Sequence, residues 1–265
     1  MRRHFPKAAS ALLLVAIFAV SRHAFAQALH RRFEPTDLQL QDEGTLEIDS
    51  QMGYTEGDTA GRLVIPDLEI SLGITSNVQI EVDTAYAIEG PQVGRFSLDH
   101  PAPDNLWLSS KVMFADVRDT AKDSAWSVGA QLGPKVPLAL GARGAGYEAI
   151  ALLARTVHRA HVVLNFGGFV DPTEDAFHRR RPIALEGGLD LAVDLDRKGA
   201  WTILGELGGV AFFTGERHQA HATGGIQWGS HPNLDLSLIG LVGLLGGGDR
   251  GGVLLGITPR FALWK

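Results

Sequence analysis

The sequence predicts an all-β protein, a single antiparallel up-and-down transmembrane β-barrel of about 12 strands. Three observations predict this fold: an export signal, segments that alternate apolar and polar side chains, and connections that alternate between short and long. In residues 78–86, for example, Val, Ile, Val, Thr and Tyr alternate with Gln, Glu, Asp and Ala. A period of two places the two sets of side chains on opposite faces of a strand.

The N-terminus carries the features of an export signal. Basic residues precede an apolar run over 8–20, and small residues at Ala24 and Ala26 suit cleavage before Gln27. The apolar run is shorter than the roughly 18–20 residues that cross a membrane as a helix. The predicted organisation is therefore a cleaved secretory signal peptide over 1–26, a periplasmic N-terminal stretch over 27–45 and an outer-membrane β-barrel over 46–265.

The first six strands follow from alternation that is interrupted by turn residues. Thr-Ser-Asn at 75–77 makes a tight turn, 89–104 is a loop rich in Pro and Gly, and 116–124 joins the fifth and sixth segments. These interruptions bound strands of the length that crosses a membrane at a tilt. The predicted strands are 46–52, 67–74, 78–88, 105–115, 125–133 and 147–156.

The last six strands follow in the same way. The turn around 158–160, the charged connection 195–199 and the turn 229–232 are short, whereas 171–181 and 246–252 are longer or rich in glycine. Short periplasmic turns, longer external loops, an even strand number and both termini on one side are typical of bacterial barrels. The predicted strands are 161–170, 183–194, 200–210, 220–228, 233–243 and 253–264.

The composition restricts the partners. The chain has no Cys, so disulfides cannot stabilise it. Its formal net charge is −6, and loss of the four bases Arg2, Arg3, Lys7 and Arg22 with the signal peptide would leave −10. Such an acidic chain argues against a nucleic-acid partner.

The apolar faces carry many small residues, which favours lipid contact over burial in a core. Glycine packs a protein core poorly, so a soluble periplasmic β protein is the less favoured alternative. The glycines on these faces are Gly187, Gly205, Gly209, Gly224 and Gly240.

The polar faces carry ionisable groups in mid-strand, and in a barrel these faces line the lumen. Acids outnumber bases there, so we expect either ion pairs across strands or a field that favours cations and neutral polar solutes. About twelve strands enclose a space far narrower than that of a large porin. The candidate lumen-lining residues are Glu47, Asp49, Glu69, Glu81, Asp83, Lys111, Lys135, Arg155, Glu186, Asp190, Glu206, Asp235 and Arg260.

The histidines do not form a metal-binding pattern. Pairs three apart in sequence point to opposite faces of a strand, so we expect them to be solvated loop residues. The sequence also has no nucleophile elbow and no phosphate-binding context for its Gly-rich loops. We therefore expect no catalytic site, no cofactor and no metal. The histidines considered are His158, His161, His178, His218, His221 and His231.

The tryptophans lie near the ends of predicted strands. Trp126, Trp201, Trp228 and Trp264 suit an interfacial girdle, whereas Trp107 falls on the polar face of its strand.

Several segments carry a family resemblance. Residues 42–47 read Asp-Glu-Gly-Thr-Leu-Glu, residues 66–82 form a hairpin around Leu-Gly-Ile-Thr-Ser-Asn, and residues 133–137 read Gly-Pro-Lys-Val-Pro. The mature chain thereby resembles the outer-membrane transporters of the "MetA-pathway of phenol degradation" family. The resemblance implies an outer-membrane barrel that passes hydrophobic or aromatic solutes and has no assigned catalytic residues.

Three functions stay open from the sequence. The first is passive transport of small solutes, the second is a non-conducting structural or surface-interaction barrel, and the third is a lipid-modifying enzyme that would use His231 or His221. The expected location is the bacterial outer membrane. The expected partners are outer-membrane lipid and lipopolysaccharide, the outer-membrane assembly machinery and a small-molecule solute.

Overall fold

A computed structural model of the chain describes residues 38, 40–57, 61–89, 101–103, 105–138, 144–172, 183–196, 200–213 and 217–264. The predicted signal peptide lies outside these residues. Every regular element among them is a β-strand. The strands are β1 (Thr45–Glu56), β2 (Gly61–Thr75), β3 (Val78–Glu89), β4 (Pro101–Pro103), β5 (Leu106–Asp119), β6 (Ser124–Val136), β7 (Gly146–Val157), β8 (Ala160–Val170), β9 (Ile183–Asp194), β10 (Trp201–Phe212), β11 (Gln219–His231), β12 (Leu234–Gly243) and β13 (Gly251–Ala262).

Twelve of these strands close into an antiparallel barrel. Strands that are neighbours in sequence pair with one another, and β1 pairs with both β2 and β13, which closes the barrel. The short β4 pairs with the end of β3, and β5 pairs with the rest of β3. The predicted fold class is confirmed.

The connections alternate in length around the barrel. One end, here called the turn end, has short connections such as 76–77, 158–159 and 232–233, and the other, the loop end, has the longer ones. Residue Thr45 of β1 and residue Ala262 of β13 pair at the turn end. The connection between β5 and β6 is shorter than predicted, because these strands extend to Asp119 and from Ser124.

The two faces of the barrel wall are inverted relative to a soluble β protein. Large apolar side chains such as Leu207 and Phe166 point outward and are more than half exposed, at 53% and 61%. The inward face holds charged side chains such as Glu81 and Asp190, each 1% exposed. A soluble protein seldom exposes so large an apolar surface, whereas a transmembrane barrel requires one.

Part of the interior is apolar. Inward side chains of β7 and β8 pack with Trp107 and with Leu38, which precedes the barrel. A second cluster joins β2, β12 and β13 through Val64, Ile239, Leu241 and Leu254. The inner face of the barrel therefore carries both acidic and apolar side chains.

The outward tryptophans lie at one end of the barrel. Trp126, Trp201 and Trp228 occupy the turn-end portions of their strands, and Trp264 follows β13 at the same end. Trp201 and Trp228 stack with ring centroids 5.7 Å apart. This arrangement is the one that an interfacial girdle requires. Trp107 faces inward, as its parity predicts, and is 7% exposed.

Strand β2 contains an irregularity that the alternation does not reveal. Its pairing with β3 shifts between Val64 and Asp67, so the intervening Ile65 and Pro66 form a bulge. Because Pro has no N–H for the ladder, a bulge is a suitable place for it. Because the bulge accommodates Pro66 within the strand, β2 extends back to Gly61, whereas the predicted strand began at 67.

Within the residues that the structure describes, no helix is long and apolar enough to cross a membrane.

Candidate functional site

The barrel interior contains two separate cavities. A cavity of about 120 Å³ lies in the loop-end half, with Asp83, Trp107 and Glu206 in its wall. A cavity of about 300 Å³ lies in the turn-end half, with Asp49 and Arg260 in its wall. The two cavities have no wall residue in common, and they lie in different halves of the barrel.

Most of the candidate lumen residues point into these cavities. The loop-half cavity is lined by Asp83, Lys135, Glu186 and Glu206. The turn-half cavity is lined by Glu47, Asp49, Glu69, Lys111, Asp190, Asp235 and Arg260. Glu81 is buried between the two cavities.

Arg155 is the exception, because it lies on the outward face of β7. The inward residues of that strand alternate from Glu148 to Thr156, and Arg155 falls between them. Its guanidinium lies 4.6 Å from the centroid of the outward ring of Trp126. The prediction that Arg155 lines the lumen is therefore wrong. A long basic side chain near a strand end can cover an aromatic ring while its charge reaches the polar interface.

Glu81 is the centre of a network of buried side chains between the two cavities. We call this network, formed by Glu81, Gln79, Ser109, Lys111 and Gln131, the partition. Its Oε1 lies 3.0 Å from Lys111 Nζ and accepts a hydrogen bond of 2.7 Å from Gln79. Its Oε2 accepts a hydrogen bond of 3.0 Å from Ser109 and another from Gln131. Both oxygens of this buried carboxylate thus have donors, which is the condition for tolerating a buried charge.

Ion pairs between inward side chains of nearby strands also occur in both halves of the barrel. Arg260 contacts Glu47 and lies 2.6 Å from Asp235, near the turn end. In the loop half, Lys135 contacts Glu148 and lies 3.4 Å from Asp171. Burial raises the pKa of Asp171, which follows β8, and the ammonium of Lys135 offsets part of that rise. These pairs match the cross-strand ladder that the sequence predicted as one alternative.

Carboxylates nevertheless stand side by side on the wall of β1, β2 and β3. Asp49 is opposite Glu69, and Glu69 is opposite Asp83, in adjacent strands. Like charges in this arrangement repel each other unless other groups compensate. Thr258 and Gln51 donate hydrogen bonds to Asp49. The row places three carboxylates next to one another on this wall.

His178 lies outside the described residues, and two of the other five histidines are not the solvated loop residues that we expected. His221 lies on β11 and faces the loop-half cavity, with Nε2 3.0 Å from Glu206 Oε1. His161 lies on β8, faces the turn-half cavity and contacts Thr156 at 2.8 Å. Both are close to a strand end, where sequence distance from a turn does not distinguish an inward strand residue from a loop residue.

Several inward residues escaped the sequence analysis. Glu148 was missed because Ile150 and Leu152 share its face, so β7 shows apolar residues on both faces and its parity is ambiguous. The bulge in β2 concealed Arg62, which lies 3.4 Å from Asp249. Only the cross-strand register identifies the inward face in such strands.

The described residues contain no group of three or more His, Cys, Asp or Glu side chains that could hold a metal ion.

The sequence matches no protein-family model and no curated protein. Solved structures do share its fold. An outer membrane channel from Pseudomonas putida F1 is 11% identical, covers 87% of this chain and all of its own length, and has a TM-score of 0.62. The NanC porin is 10% identical, covers 81% of this chain and 98% of its own, and has a TM-score of 0.56.

At these identities the similarity establishes the fold, a closed barrel of the type found in outer-membrane channels and porins. The fold implied by the resemblance to the phenol-degradation family is thus confirmed. Membership of that family stays a prediction from the sequence motifs.

Proposed function

We propose that this protein is a narrow channel of the bacterial outer membrane that passes small solutes passively. The observation that carries the proposal is the inversion of the barrel wall, with an apolar outer face and charged residues around internal cavities. The outer face suits outer-membrane lipid and lipopolysaccharide. The turn end, with its short connections and girdle tryptophans, would face the periplasm. The assembly machinery of the outer membrane would insert the chain after removal of its signal peptide.

The charge of the interior favours cations and neutral polar solutes over anions. The inward bases Lys111, Lys135 and Arg260 are each within ion-pair distance of acids. The walls of the two cavities carry twelve Asp and Glu side chains and three Lys and Arg side chains, so acids outnumber bases. Rings of acidic side chains select cations in other channels. The apolar interior walls leave passage of a hydrophobic solute as the alternative cargo.

Planar-bilayer recording tests the proposed channel. The purified protein should produce reproducible current steps, and under a potassium chloride gradient the reversal potential should shift toward the potassium equilibrium potential. A shift toward the chloride equilibrium potential would contradict the proposed selectivity. Absence of current at any applied voltage, from protein that migrates as a folded barrel, would contradict the channel itself.

Neutralising the acidic row should weaken the preference for cations. In the double variant Asp49→Asn/Glu69→Gln we expect the ratio of cation to anion permeability to fall about twofold or more, because the field along β1 and β2 is reduced. Both replacements conserve shape and an acceptor oxygen. Lys122→Gln is the control, since Lys122 is an exposed charge in the turn between β5 and β6, outside the walls of both cavities, and should leave the ratio unchanged.

A non-conducting structural barrel is the second candidate. The buried partition around Glu81 and the small volumes of the two cavities favour it. The same recordings decide between the two candidates, because a structural barrel gives no current steps.

The lipid-modifying enzyme receives no support from the named histidines. His221 is bonded to Glu206 inside the barrel, and the ring of His231 accepts a hydrogen bond from the backbone N–H of Asn233 in a turn. Both side chains serve local structure.

A further inference from the structure

The chain before β1 turns back into the barrel. Residues 42–45 form a turn in which Thr45 N–H donates to the carbonyl of Asp42 at 2.9 Å. Gly44 has a φ of 76°, in the left-handed region that favours glycine. The sequence predicted a periplasmic stretch over 27–45, and within it Leu38 and residues 40–44 lie against the barrel interior at the turn end. We call this part the lumen segment.

Two inward glycines make room for the lumen segment. A Cβ at Gly129 would lie 2.4 Å from Leu38 Cδ2, and a Cβ at Gly73 would lie 2.3 Å from the carbonyl oxygen of Asp42. A larger residue at Gly73 would clash with the backbone of the segment, and one at Gly129 would clash with the side chain of Leu38 and with the carbonyl oxygen of Val112. In the hollow at Gly129, Leu38 is only 4% exposed and packs with inward side chains of β7 and β8.

A polar contact holds the segment across from this hollow. The backbone N–H of Gln41 donates to Gln79 Oε1 at 2.6 Å, and Gln79 in turn donates to Glu81 at the partition. Gln79 is 2% exposed. Through Gln79, the segment is therefore linked to the hydrogen-bond network around Glu81.

The segment also borders two spaces, a vestibule at the turn end and the turn-half cavity. A vestibule of about 730 Å³ at the turn end is lined by Leu38, Leu40 and Gln41. Gln41 is also in the wall of the turn-half cavity, as is His161. Gln41 and His161 therefore border both the vestibule and the cavity.

We propose that the lumen segment is a plug that closes the turn-end entrance of the lumen and leaves its seat to admit solute. This inference rests on the proposed channel function. The seat is built by the barrel, through Gly73, Gly129 and Gln79, whereas the plug is contributed by residues outside the strands. Because no ladder hydrogen bonds hold Leu38, it can leave without opening the barrel.

Loosening and locking the plug test the proposal. Leu38→Ser removes the apolar anchor, and we expect the ratio of open to closed time to rise about tenfold, the order of effect that loss of one buried leucine has on an equilibrium. Leu195→Ser, at an exposed position in the connection between β9 and β10, is the matched control and should behave as the wild type.

A reversible bridge provides the opposite change. The chain has no native Cys, so in Gln41→Cys/Gln79→Cys a short bis-methanethiosulfonate cross-linker can react only at these positions, where each thiolate forms a disulfide and displaces methanesulfinate. We expect the bridged protein to remain closed and reduction to restore its current. Currents that are the same for the wild type, Leu38→Ser and the bridged protein would overturn the plug while leaving the channel standing.

A labelling measurement keeps the plug testable if no variant conducts, a result that would contradict the channel. Thr202→Cys places a thiol in the turn-half cavity. A water-soluble maleimide should label it about tenfold faster when Leu38→Ser is added, because the vestibule then connects to the cavity. Equal labelling rates in folded protein would overturn the plug.

Discussion

Replacing Glu81 by Gln should lower the free energy of unfolding by about 3 kcal/mol, the order expected when one partner of a buried ion pair is removed. Lys111 Nζ, whose side chain is 8% exposed, would lose the carboxylate 3.0 Å away. The new amide would also present an NH₂ group where Gln79, Ser109 and Gln131 now donate hydrogen bonds. Urea titration in detergent micelles, followed by tryptophan fluorescence, measures the change.

A double-mutant cycle separates the ion pair from the rest of the network. Lys111→Met added to Glu81→Gln should cost less than Lys111→Met does in the wild type, because the pair between the two side chains is by then already broken. Glu43→Gln, at an exposed position, should stay within about 0.5 kcal/mol of the wild type. If the two single changes add without coupling, the ion pair does not stabilise the partition.

Replacing Gly133 by Ala should prevent much of the protein from reaching the folded state. A Cβ at this inward position of β6 would lie 1.8 Å from the carbonyl oxygen of Leu108 and 2.7 Å from the Cα of Ser109. These are backbone atoms of the neighbouring strand, so relief requires β5 and β6 to separate. We expect a loss of about 3 kcal/mol, at the upper end of the usual cost of overpacking.

Gly224→Ala is the matched control for this change. Gly224 lies on the outward face of β11, and a Cβ there has no heavy atom within 4 Å. Alanine should be tolerated and should add up to about 0.5 kcal/mol by restricting the unfolded chain. The fraction of protein that shifts its migration on heating reports folding in both variants. Equal folded fractions would contradict the close approach of the strands at Gly133.

The strands and the closed barrel could be predicted because their signal is local. In β3 the inward Gln79, Glu81 and Asp83 alternate with outward apolar residues, so parity alone identifies the two faces. The alternation of short and long connections then indicates how consecutive strands pair and where the termini meet. No long-range information is needed for either step.

The errors arose in strands where inward polar and outward apolar side chains do not alternate regularly. Strand β7 mixes Glu148 with Ile150 and Leu152 on its inward face, so the charge of Arg155 suggested the wrong parity. The bulge at Ile65 and Pro66 reverses the parity within β2. In both strands the register with a neighbour determines the orientation, and that register is a property of the closed sheet.

Beyond the inward acids and the expectation of ion pairs across strands, the organisation of the interior could not be predicted. The partition around Glu81 joins side chains of β3, β5 and β6, and the seat of Leu38 joins residues that are about ninety positions apart. Gly129 and Gly73 look like ordinary strand glycines in the sequence. Their role as hollows becomes visible only when the chain before β1 is placed inside the barrel.

Swelling of protein-containing liposomes in neutral solutes of graded size tests the central claim most directly. If the barrel passes small solutes through its polar interior, liposomes should swell in glycerol and other small polyols and should not swell in oligosaccharides, which exceed the cavities of about 120 and 300 Å³. Swelling should be faster with Leu38→Ser. Liposomes that contain folded barrel and swell no faster than empty ones in every solute would contradict the account.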